Sequence, residues 1–171
     1  TIVISAGTLT NADTAYGLTL SGAATLSGNP VFTINGNGSA TGTLTISGGF
    51  NTGGATRTLT FNSGTGTSAA SISGAFAGTA GILDLAGTTP TVTVGALTTT
   101  ANAVRVSGTG TYTFSGASTF TGGVILNNAS ATVIATVDAG FGATSGKVKF
   151  NVASTGFTLR NDSGTNFTAG L

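Results

Sequence analysis

Apolar and polar positions alternate with a period of two in short bursts along the whole chain, and each burst closes on Gly, Asn or Ser. In Gly108–Ala135, GTGTYTFSGASTFTGGVILNNASATVIA, the apolar members are Tyr112 and Phe114, Phe120, Val124 and Leu126, and Val133, set apart by SGA, TGG and NNAS. Such alternation marks half-buried strands joined by tight turns. Read this way, the chain predicts strands at Ile2–Ser5, Leu18–Ser21, Val31–Asn35, Thr43–Ser47, Thr58–Asn62, Ala70–Ser73, Ile82–Ala86, Thr91–Val94, Ala103–Ser107, Thr111–Ser115, Val124–Asn127, Ala131–Val137, Lys147–Val152 and Phe157–Arg160. Turn sequences such as SGNP before Val31, NGNG at Asn35–Gly38 and NSGTG at Asn62–Gly66 lie between them. No stretch has the three-and-four apolar spacing of a helix, so an all-β chain is expected.

One cadence recurs: LTLSG (Leu18–Gly22), ATLSG (Ala24–Gly28), LTISG (Leu44–Gly48), ASISG (Ala70–Gly74), VRVSG (Val104–Gly108) and YTFSG (Tyr112–Gly116). Its spacing is irregular, which excludes a strict short-period β-helix and suits a stack of unequal coils. A sandwich with long hairpins is the alternative. Strand parity sends paired threonines outward together: Thr8 and Thr10, Thr43 and Thr45, Thr58 and Thr60, Thr91 and Thr93, Thr111 and Thr113. The plain expectation is an ordinary solvated face. A flat threonine array that binds ice or a crystalline surface would need the pairs to stack in register, and their uneven spacing argues against that.

At 171 residues the chain predicts a single domain, 1–171, with room for a real core. Only 5% of its residues are charged, and its net charge of +1 rests on Arg57, Arg105, Lys147, Lys149 and Arg160. These form no run or stripe, so the electrostatic footprint for nucleic acid is missing. A surface this neutral does little to keep copies apart, and self-association is expected. With no Cys there is no disulfide framework. No apolar run reaches the roughly 20 residues of a membrane span. A chain that begins at Thr1 reads as a mature product or a piece of something longer.

Reactive chemistry is sparse. His, Cys, Met and Trp are absent, and the acids are Asp13, Asp84, Asp138 and Asp162. General acid–base work draws on His or paired carboxylates, so no enzyme, no catalytic residue and no cofactor is expected. Asp84, in ILDLAG, falls on the outward phase of its strand, while Asp13, Asp138 and Asp162 read as turn formers. Asn161 with Asp162, or Asn11 with Asp13, supplies too few oxygens for calcium, so no metal ligand is assigned. Gly64-Thr-Gly66 and Gly108-Thr-Gly110 lack the Lys of a phosphate loop and read as turns. Phe32, Phe61, Phe114 and Phe150 fall on the inward phase of their strands. Phe50, Phe76, Phe120, Phe141 and Phe167 lie near turns, where they pack corners or meet another subunit.

The segment YTFSGASTFTGGVILNN, Tyr112–Asn128, resembles the autotransporter-associated β-strand repeat of bacterial passenger domains. The matching residues are Tyr112, Phe114, Gly116, Ala117, Thr119, Phe120, Gly122, Gly123, Val124 and Leu126. Where that unit usually ends in a second Gly-Thr-Leu strand, this chain has NNASATV, and TIVISAGTLT (Thr1–Thr10) looks like the missing half. The resemblance implies a right-handed parallel β-solenoid displayed outside a bacterial cell. At roughly 20 to 25 residues per coil, about seven or eight coils are expected. A half unit at the start implies that another chain completes that end, giving head-to-tail fibres or a surface layer, with Ile2, Val3, Ile4, Phe167 and Leu171 as assembly residues.

The function expected is therefore a structural or adhesive element, extracellular or on a bacterial cell surface, whose partners are its own copies and a host or matrix surface. Two other readings stand behind it. One is a β-sandwich pilin-like subunit that donates TIVIS as a strand. The other is a β-solenoid that binds ice or carbohydrate.

Overall fold

The protein was analysed as a computed structural model that describes residues 2–4, 8–11, 17–36, 41–77, 81–89, 91–98, 102–128, 130–137, 139–143, 148–151 and 158–162. The short alternating bursts become strands, with no helix among the described residues. In chain order they are β1 (Ile2–Ile4), β2 (Thr8–Asn11), β3 (Leu18–Leu20), β4 (Ala24–Leu26), β5 (Val31–Ile34), β6 (Gly42–Ile46), β7 (Phe50–Asn51), β8 (Arg57–Ser63) and β9 (Ser68–Ala77). Then follow β10 (Ile82–Gly87), β11 (Thr91–Thr98), β12 (Ala103–Val106), β13 (Thr111–Phe114), β14 (Val124–Leu126), β15 (Thr132–Ala135), β16 (Val148–Phe150) and β17 (Thr158–Asn161).

Every pairing between these strands is parallel. They make two sheets, one of ten strands and one of seven. The ten-stranded sheet contains two ladders that meet in β9. One, here the threonine ladder, runs β3-β6-β9-β11-β13-β15-β17; the other, the short ladder, runs β1-β4-β7-β9. The second sheet runs β2-β5-β8-β10-β12-β14-β16. The chain visits them in rotation: β3 on the threonine ladder, β4 on the short ladder, β5 on the second sheet, then β6, β7 and β8 in the same order. A sandwich of antiparallel hairpins would pair strands that are adjacent in the chain. Here, among the described residues, partners lie a full circuit apart, from Val92 opposite Tyr112 to Phe32 opposite Phe61.

Circuits of unequal length stay in register because the slack is taken up outside the strands. Leu18, Leu44, Ala70, Val92, Tyr112, Val133 and Leu159 follow one another up the threonine ladder as a single inward column. Leu59, Leu85, Val106, Leu126 and Phe150 do the same on the second sheet. Between these walls lies one continuous apolar core that includes Phe32, Phe61, Phe76, Phe114 and Phe120. Phe32 stacks on Phe61 with ring centroids 5.7 Å apart, and Phe141 meets Phe114 edge-on at 5.1 Å. The corner phenylalanines Phe50, Phe76, Phe120 and Phe141 are thus buried within the chain. Phe167 lies outside the described residues.

The Ser-Gly cadence is a corner. Leu20, Ile46, Ile72 and Phe114 end their runs on the threonine ladder, and the following Ser-Gly turns the chain toward the short ladder. A Cβ on Gly48 would come within 2.3 Å of the Gly22 carbonyl one circuit below, and one on Gly116 within 2.0 Å of the Ala96 amide nitrogen. Backbone meets backbone at this edge, so no side chain fits. At Gly74, with φ +105°, β9 turns the corner without ending and continues onto the short ladder.

Three strands escape the sequence pattern: Thr8–Asn11, Ala24–Leu26 and Phe50–Asn51. Two of them belong to the short ladder: Phe50–Asn51 is too short to display an alternation, while Ala24–Leu26 carries the cadence as ATLSG yet is not among the expected strands. Beyond β11 that ladder persists through single backbone bonds, Thr119 N to Leu97 O and Ala143 N to Phe120 O.

Candidate functional site

Outward positions of the threonine ladder form columns as regular as the core behind them. Thr43, Ala69, Thr91, Thr111, Thr132 and Thr158 make one. Two residues along each strand, Thr19, Thr45, Ser71, Thr93, Thr113, Ile134 and Arg160 make the next. At the corner, Ser47, Ser73 and Ser115 add hydroxyls on the rungs that carry the cadence, with Ser47 N bonded to Leu20 O and Ser115 N to Val94 O. These side chains are exposed or half-exposed, apart from Ile134, which is 7% exposed.

The uneven spacing along the chain therefore does not prevent stacking, contrary to the expectation from sequence. Thr43 and Thr45, Thr91 and Thr93, and Thr111 and Thr113 share one face in register. The other two pairs belong elsewhere: Thr8 and Thr10 lie opposite Val31 and Thr33, and Thr58 and Thr60 opposite Asp84 and Ala86, all on the second sheet. Aligning the chain on its Ser-Gly corners (TLTISG, AASISG, TVTVGA, TYTFSG) would have exposed the columns; counting residues between pairs hid them.

Of the described charged side chains, Arg57, Asp84, Arg105 and Lys149 lie on the other sheet, while Arg160 and Asp162 pair at the last described rung of the threonine ladder. Asp84 sits on the outward phase of β10 as expected, yet it is only 5% exposed. Arg105 Nη2 donates to its Oδ2 at 2.8 Å, Thr58 Oγ1 to the same oxygen at 3.3 Å, and Ser107 Oγ to its Oδ1 at 2.6 Å. The Asp84 hydrogen bond, more than the wider attraction of its charge, raises the Arg105 guanidinium above its usual value, and partial burial opposes it. From Ser107 the polar line continues upward: Asn127 Nδ2 donates to Ser107 Oγ at 3.4 Å, and Asn151 Nδ2 to Asn127 Oδ1 at 2.7 Å. NNAS, read from sequence as a plain turn, thus supplies a side-chain ladder. Among the described residues no group of three metal-ligating side chains comes together. No described helix is long and apolar enough to cross a membrane.

Tyr112 is a buried residue whose hydroxyl has no hydrogen-bond partner among the described residues. Burial first, and the Asp84 carboxylate second, push its phenol above the usual value. The unfolded chain therefore ionises first, so this group's contribution holds up to about pH 10 and then falls by about 1.4 kcal/mol per pH unit until the folded value is reached. Urea midpoints at pH 9 and pH 11 are expected to drop for the native chain and to drop less for Tyr112→Phe. Equal drops would show that this phenol has no such role.

The last described rungs differ from those in the middle of the stack. Phe150 and Leu159 continue the columns of Leu126 and Val133, but they are 45% and 36% exposed where those are 1% and 0%. Sequence phase placed Phe150 in the core; its phase is inward, and its rung is the last described one of its sheet. At the opposite end of the described rungs, Ile2, Val3 and Ile4 form β1, which pairs with β4 along one edge. Of the expected assembly residues these three therefore lie on the first described rung of the short ladder, while Phe167 and Leu171 lie outside the described residues. Asp13, Asp138 and Lys147 do too.

The chain matches no protein-family model, no curated protein and no solved structure.

Proposed function

We propose that the protein is a right-handed parallel β-solenoid serving as an extracellular structural element that lengthens by adding rungs at its ends. The observation that carries this reading is the exposure of Phe150 and Leu159 on the last described rungs of columns whose preceding members, Leu126 and Val133, are buried. Apolar surface of this kind is stabilised by being covered, and a parallel edge offers its amides and carbonyls to a further strand. A second copy offering β1 and β2 would continue both sheets. Right-handedness follows from the strong preference of parallel crossover connections for that hand.

The resemblance of Tyr112–Asn128 to the autotransporter-associated repeat supports the same reading. That segment spans β13, the Ser-Gly corner, the short-ladder bond at Thr119 and β14, which is one full circuit. Thr1–Thr10 includes β1 and most of β2, a short-ladder strand followed by a second-sheet strand, matching the later half of a circuit. Display on a bacterial surface and contact with a host or matrix surface rest on this resemblance.

Sedimentation and electron microscopy test the reading. The native chain is expected to form fibres whose mass grows with concentration, with a meridional reflection near 4.8 Å. Phe150→Lys with Leu159→Lys is expected to remain folded and to stay monomeric. A native chain that stays monomeric at high concentration would overturn end-to-end assembly.

A further inference from the structure

We propose that the outer face of the threonine ladder binds ice, through the stacked hydroxyls and methyls of Thr43, Thr45, Thr91, Thr93, Thr111 and Thr113. Successive rungs lie about 4.8 Å apart and outward side chains on one strand about 6.6 Å apart, so the face is a two-dimensional grid of hydroxyls. Threonine suits such a grid because branching at Cβ restricts its rotamers, holding each oxygen in place before any ligand arrives. Each hydroxyl both donates and accepts, as a water molecule does, and the methyl beside it leaves the next water free to bond only to other waters. A layer of water held over such a surface needs little rearrangement to join a crystal of ice, whose oxygens repeat at similar spacings.

Three observations separate this occupant from others. The face has no charge from Thr19 through Thr132, whereas Asp84 and Arg105 are paired in a column of the second sheet that continues through Ile125 to Lys149. An uncharged lattice is matched by an uncharged grid, with no counter-ion to displace. Aromatic platforms, on which sugar rings stack, are missing from the described face: Tyr112 and Phe114 point inward and are 0% exposed. The grid also belongs to a wall of the core, braced from behind by Leu44, Ile46, Val92 and Val94, all buried. Gaps exist at Ala69 and Ile134, and the grid is densest over β11 and β13.

The inference rests on the register of one ladder and holds whether or not copies stack end to end. Its test is growth of single ice crystals in the purified chain, read as thermal hysteresis and as inhibition of recrystallisation. The native chain is expected to show both. Thr93→Tyr and Thr113→Lys, each placing a bulky or charged group in the densest part of the grid, are expected to abolish both while keeping the native far-ultraviolet spectrum and melting transition. Thr33→Tyr, on the second sheet, is expected to retain them. A folded native chain without effect on ice would overturn the proposal, as would face variants as active as the native chain. Binding to microcrystalline cellulose with no effect on ice would overturn it in favour of a polysaccharide surface. Fibre formation by Thr93→Tyr is expected to be unchanged, which keeps failure here distinct from failure of assembly.

Discussion

Phe61→Ala is expected to lower stability by about 3–5 kcal/mol, measured as the loss in urea unfolding free energy. The side chain is 0% exposed and stacked on Phe32, one circuit away in the same column. Its removal deletes the transfer energy of the ring and leaves a cavity between walls that hydrogen-bonded ladders prevent from closing. Ring-on-ring contact adds about 0.5–1.5 kcal/mol beyond the buried area. Phe61→Leu, which keeps much of the volume, is expected to cost less than about 1.5 kcal/mol. The comparison that tests the fold is Phe150→Ala. Phe150 has the same inward phase on the same sheet, but its 45% exposure predicts a much smaller loss. Equal losses would mean that depth in the stack does not set the energetics. A lower dependence on urea for Phe61→Ala would further show that rungs on either side had uncoupled, as nearest-neighbour stacks do.

Gly74→Ala is expected to cost about 2–4 kcal/mol, from two causes that a control helps to apportion. Its φ of +105° lies where an L side chain is strained, and its Cβ would stand 2.7 Å from Gly49 N and from Ser47 O. Those atoms are backbone of the circuit below and cannot move without shifting a ladder. Gly53 has a φ of +63° and nothing within 4 Å of a Cβ, so Gly53→Ala is expected to show the strain alone, about 1–2 kcal/mol. Chemical denaturation of the two variants gives, as their difference, the close-approach cost together with the added strain of φ +105° over +63°. If the difference vanishes, the corners are not tightly packed and the cadence has another cause.

Much of this architecture is visible in the amino-acid order because it is local. Alternation such as Leu44-Thr45-Ile46 or Tyr112-Thr113-Phe114 tells which atoms face the core, since successive Cβ atoms point to opposite sides of a strand. Ser-Gly closing those runs marks a corner, because only glycine fits where one backbone passes close to the next. A strand of two residues, Phe50–Asn51, leaves no such trace; the ladder beside it holds it extended. Asp84 shows the limit from another side. Its outward phase is plain in ILDLAG, but the partners that cover it, Arg105 and Ser107, come from the next circuit.

The threonine face was the least legible part, and for a physical reason. Each Thr-x-Thr pair is written in the sequence, but whether pairs share a face depends on which strand lies above which. Chain separation does not decide this. The threonine ladder is in register although its circuits differ in length, 26 residues from Thr45 to Ser71, 22 from Ser71 to Thr93 and 20 from Thr93 to Thr113, because turns between strands absorb the difference at little entropic cost. By itself, then, the sequence determined an all-β chain with apolar inward positions, glycine corners and a sparsely charged, hydroxyl-rich exterior. Tertiary structure alone decided that the pairings are parallel, that three threonine pairs stand in one grid while Asp84 and Arg105 pair on the other sheet, and that Phe150 and Leu159 are left half-covered. Side-chain direction is set by neighbours in the chain; coincidence of rows is set by neighbours across it.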